Sequence, residues 1–131
     1  MLFRSGELEY HKGNHEVAFD YLREAAKRSD ALHYSEPWPW MHPPRHALGA
    51  LLIEQGQYAE AEDVYRADLG LSDAVVRCAQ HRGNVWALHG LVECLVHRGA
   101  MEEAKKFEGD LNRALRGSDT KITSSCCCRT A

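Results

Sequence analysis

The chain carries no apolar run long enough for a membrane span, which needs about 20 consecutive apolar residues. Its first residues, MLFRSGELEYHKG, contain no apolar stretch of the kind a secretory signal requires. It also has no block of basic residues, and the formal net charge is -3. Binding nucleic acid through its phosphates needs clustered Lys and Arg, so a nucleic-acid partner is not expected. Strand signals are missing as well: β-branched residues are few and alternation is rare. Proline is confined to one stretch, where Pro37, Pro39, Pro43 and Pro44 hold all four. There is no paired C-x-x-C motif, no glycine-rich phosphate loop and no local nucleophile motif. Nothing here points to an enzyme.

What is present is a repeat. A Gly-x-x-x-x-Ala pattern runs from Gly13 to Ala18, from Gly56 to Ala61 and from Gly99 to Ala104, with the glycines 43 residues apart. A glycine in this setting ends one helix in a left-handed turn, and the alanine lets the next helix approach closely. Apolar stripes at i, i+3, i+4, i+7 flank each glycine: Leu48, Leu51 and Leu52 before Gly56, Leu88, Leu91, Val92 and Leu95 before Gly99, and Ala104, Phe107 and Leu111 after it. The reading is an all-α helical repeat of about three helix–turn–helix units, spanning 2–28, 45–68 and 84–115. Asn84 is placed to cap the third unit, and Ser72 or Asp73 to cap a short helix through Arg77. A flexible, cysteine-rich tail is expected over 118–131, because SDTKITSS is polar and aperiodic.

Leu48-Gly49, then Gly56-Gln57-Tyr58-Ala59-Glu60-Ala61, then Tyr65 resemble the tetratricopeptide signature. The first and third units resemble it more loosely, with His15 and Met101 in place of the aromatic. The usual period is about 34 residues; each unit here is longer because of two connectors. The first, over 29–44, carries Tyr34, Trp38 and Trp40, read as packing beneath the loop or as a ligand wall. The second, over 68–83, carries Cys78 and His81. The wording of the chain resembles the C-terminal part of large bacterial and fungal tetratricopeptide proteins, which implies further repeats ahead of it.

The resemblance implies a concave groove lined by the first helix of each unit, taking a peptide or protein partner. At about 100° per residue, Trp86, Glu93 and His97, with His89 nearby, face away from the leucine stripe of the third unit. His46 and Ile53 do so in the second unit and Tyr10 in the first. Only Arg45 and Asn84 would serve a clamp for a terminal carboxylate, so that version of the groove is poorly supported.

Eight histidines and five cysteines suggest a second reading. Cys78, His81, His89, Cys126 and Cys128 are candidate ligands for zinc or copper(I), since imidazole and thiolate suit both ions. No cofactor is otherwise expected. An odd cysteine count without a secretory signal argues for reduced thiols and a cytoplasmic setting. Cys128 also stands at prenylation-box distance from the end, but Arg129 and Thr130 are not the aliphatic pair such a box prefers.

Overall fold

The computed structural model describes residues 2–33 and 42–129. Tyr34, Trp38 and Trp40 lie outside the described residues. Those described form six α-helices and one short 3-10 turn, with no strand among them. The helices are α1 (Leu2–His11), α2 (His15–Asp30), α3 (Pro44–Glu54), α4 (Tyr58–Asp68), α5 (Val85–His97) and α6 (Met101–Leu115). They make three consecutive hairpins, α1/α2, α3/α4 and α5/α6.

The three hairpin turns share one geometry. Gly13, Gly56 and Gly99 have φ of 86°, 72° and 75°, a conformation that costs other residues a steric penalty. In each turn the residue after the glycine donates its N–H to a carbonyl five positions back, Asn14 to Glu9, Gln57 to Leu52 and Ala100 to Leu95, all at 2.9 Å. This is the double-bonded helix end that satisfies otherwise orphaned carbonyls. Ala18, Ala61 and Ala104 then lie fully buried at the close approach of the two helices.

The repeat register is also written in charge. Arg23 of α2 meets Glu60 of α4 through two hydrogen bonds of 2.7 and 2.9 Å. One repeat later, Arg66 of α4 meets Glu103 of α6 at 2.7 Å. Half-exposed pairs of this kind contribute about 0–1 kcal/mol each, so they fix register more than they stabilise. Between the first two hairpins, Arg45 grips both carboxylate oxygens of Asp30 and holds the end of α2 to the start of α3.

The core centres on α3, which is buried on every side from His46 to Ile53. Tyr65 of α4 lies fully buried between Gly49 of α3 and Gly90 of α5. A methyl group on Gly49 would stand 2.7 Å from the Tyr65 hydroxyl oxygen, and one on Gly90 2.6 Å from the ring carbon Cε2. Gly6 holds the matching place in the first hairpin, against Leu22. These glycines are helical; they are small so that a neighbouring side chain can pass, and no left-handed turn is involved.

The second connector begins at the end of α4 and returns to it. His81 donates its backbone N–H to the Asp68 carbonyl at 2.6 Å. The 3-10 turn spans Arg77–Ala79 and is preceded by Val76, so Ser72 and Asp73 do not cap it. Asn84 does cap α5: its side-chain oxygen accepts from Trp86 N at 2.9 Å and Ala87 N at 3.2 Å.

Two predictions follow from this packing. Gly49→Ala and Gly90→Ala each lower stability in urea denaturation by about 1–3 kcal/mol, the usual cost of overpacking. Gly109→Ala is the control: its added carbon meets nothing within 4 Å, and it gains up to about 1 kcal/mol of helix propensity. Equal effects at all three positions would contradict the wedge.

The second concerns Glu62. Burial pushes its carboxyl pKa up, but hydrogen bonds and charge from Arg66 and Arg98 outweigh burial and hold it below the ordinary value. A lowered carboxyl stabilises the fold above its unfolded pKa of about 4.3, and that share is lost as pH falls through the native value. Between neutral and acid pH, Glu62→Gln therefore flattens part of the loss in stability; an unchanged slope would contradict the assignment.

Candidate functional site

The tail over 118–131, expected to be flexible, is seated at 125–128 against the first helices of the hairpins. Ser125 and Cys126 are buried, and Cys126 joins the hydrophobic core. The Ser125 hydroxyl donates to the backbone carbonyl of His46 at 3.1 Å. It also meets the Tyr65 hydroxyl. A serine hydroxyl has one proton, so the Tyr65 hydroxyl is the donor in that second bond. Burial pushes the Tyr65 phenol pKa upward against the opposing Ser125 hydrogen bond, so this donor keeps its proton. Four residues on, Arg129 donates to Glu93 of α5 at 2.7 Å. Cys126 and Cys128 are joined by a disulfide, where the odd cysteine count had pointed to reduced thiols. Glu7 of α1 lies beside this pair, and burial raises its carboxyl pKa against the nearby His11 and Arg4.

The seated tail revises the expected groove. Tyr10, His46 and Ile53 are buried rather than open to a partner. Tyr10 accepts a hydrogen bond from Gln55 at 2.7 Å. Trp86, His89 and Glu93 are half-buried. His97 is exposed and stacks on Tyr58 of α4, with ring centroids 4.5 Å apart. His89 Nδ1 and Glu93 Oε2 face each other at 3.9 Å, too far for a hydrogen bond. Both atoms are buried without a hydrogen-bond partner among the described residues. Burial lowers the His89 pKa, with Glu93 opposing, so the ring is neutral at pH 7.

A second cluster lies at the start of α3. Asp68, 1% exposed, receives His46 Nε2 on one carboxylate oxygen at 2.9 Å and His81 Nδ1 on the other at 2.8 Å. Burial pushes the Asp68 pKa up, but the two imidazoles more than offset it and keep the carboxyl below its ordinary value. An ionised carboxylate only accepts, so both rings present N–H. His42 stands next to His46, with ring centroids 6.3 Å apart. Its Nε2 is buried without a hydrogen-bond partner among the described residues.

The expected metal set of Cys78, His81, His89, Cys126 and Cys128 does not assemble. His81 belongs to the Asp68 cluster, and Cys126 and Cys128 lie with Glu7. Cys78 is exposed. Neither it nor His89 joins a ligand cluster among the described residues. Sequence reasoning missed Asp68. One signal was available: a carboxylate in the last turn of a helix opposes the helix dipole and needs donors from elsewhere. Cys94 is a buried core thiol whose pKa burial, aided by Glu93, pushes up to about 12.

No protein family, curated protein or solved structure matches the chain.

Alkylation read by mass spectrometry checks the cysteine arrangement. In the native, unreduced chain Cys78 and Cys127 react at once, while Cys94 reacts only on unfolding. Cys126 and Cys128 become reactive only after a reductant is added. Rapid labelling of Cys126 in the unreduced chain would contradict the disulfide.

Proposed function

We propose that the chain is a tetratricopeptide-like interaction module whose concave groove holds an extended peptide from a partner protein. The observation that carries this reading is the chain's own tail, lying across the first-helix faces with Ser125 bonded at their centre. The tail stands in for the partner's backbone and side chains. By its contacts, the partner segment has a small hydroxyl-bearing residue at the Tyr65 position and an arginine four residues later, opposite Glu93. The three matching hairpin turns support the repeat reading, since a concave face arises from stacking equal units.

A tethered segment competes at an effective concentration of order mM. The full chain therefore binds a labelled peptide of residues 122–129 weakly. Arg129→Ala in the chain removes a charge-assisted contact worth about 1.5–3 kcal/mol; the native tail loosens, and the added peptide binds about tenfold or more tightly. Adding Glu93→Ala to that variant cancels the gain. Fluorescence anisotropy measures all three proteins, and absence of binding to the Arg129→Ala chain would overturn the reading.

A further inference from the structure

His46, Asp68 and His81 come from three separate elements: α3, the last residue of α4 and the connector that follows it. One ligand atom from each lies within 4.8 Å of the other two. We propose that these three residues form a binding site for a divalent transition metal of the zinc type, independent of whether the groove takes a peptide.

The donor chemistry comes first. Two imidazoles and one carboxylate make up a ligand set that zinc uses when a further position is left for another ligand. The two imidazoles already meet the carboxylate, one on each oxygen, at 2.9 and 2.8 Å, and one ligand atom from each residue lies within 4.8 Å of the others. Donor atoms about 2.0–2.1 Å from a tetrahedral ion stand about 3.3 Å apart, so ligation replaces the two hydrogen bonds and turns the rings toward a shared point. On ligation each ring turns a lone pair to the ion and carries its N–H proton on the other ring nitrogen.

The surroundings favour a cation. Asp68 closes α4, where the carbonyl end of the helix carries partial negative charge. Among the described residues both hydrogen bonds to the Asp68 carboxylate come from imidazoles, and none from Lys or Arg. His42 adjoins His46, with ring centroids 6.3 Å apart; it lies outside the three-residue cluster, and its buried Nε2 has no hydrogen-bond partner among the described residues. A structural staple accounts for the two bonds to Asp68 but leaves this nitrogen unexplained. The other cluster, Glu7 with Cys126 and Cys128, is closed to an ion while its sulfurs are bonded to each other.

The test uses the full, untagged chain without reductant, with the exposed thiols removed as Cys78→Ser and Cys127→Ser. Zinc is titrated by calorimetry and its effect on Tm is followed. The proposal expects one zinc per chain and a rise in Tm with zinc. His81→Gln keeps an N–H for Asp68 but supplies no imidazole. It is expected to stay folded and to lose more than the roughly 10–100-fold typical of outer contacts to a metal ligand. Cobalt(II) gives a second readout, an intense visible spectrum of tetrahedral type in the parent that His81→Gln lacks. Zinc binding left intact by His81→Gln would overturn the site, as would a folded parent chain that takes up no zinc.

Discussion

The ring of Tyr65 is the contact on which the rest of the molecule depends. It leaves α4, passes between Gly49 on α3 and Gly90 on α5, and ends in a hydroxyl bonded to Ser125 of the tail. A side chain on either glycine would block the ring. Shortening the ring would leave a cavity at the junction of three helices, and cavities at such points cost several kcal/mol. The hydroxyl cannot be left unpaired at this depth. The tail supplies the partner, so the second and third hairpins and the seated tail share one side chain.

That arrangement joins the seated tail to the histidine–aspartate cluster. His46 takes part in both, its carbonyl receiving Ser125 and its ring reaching Asp68. Movement of α3 at His46 would be felt by the tail on one side and by the connector on the other. Asp68 in turn anchors the connector through His81, and Asn84 then starts α5. The long second connector is thus held at both ends by short polar contacts.

The parts legible in the sequence were those set by local rules. The glycine turns, the helix spans and the Asn84 cap each depend on residues within one or two helical turns, so their spacing shows in the chain. The groove was less legible. Helical geometry separates the faces of α3 but cannot say that Asp68 and His81 reach the His46 ring, or that Ser125 reaches its carbonyl. His46 and Ile53 were therefore read as open. The tail gave no signal because Ser125, Cys126 and Arg129 are held by individual contacts, which leave no period. The Asp68 cluster joins positions 22 and 13 residues apart, and no metal motif has those spacings.

A double-mutant cycle on Tyr65→Phe and Ser125→Ala measures the central contact directly. Both variants keep the packing and remove only hydroxyl groups. Urea denaturation of the four proteins is expected to give a coupling of about 0.5–1.5 kcal/mol, the range of one buried hydrogen bond. A coupling of zero would mean that the tail does not occupy the groove in solution, and the groove reading would fall with it.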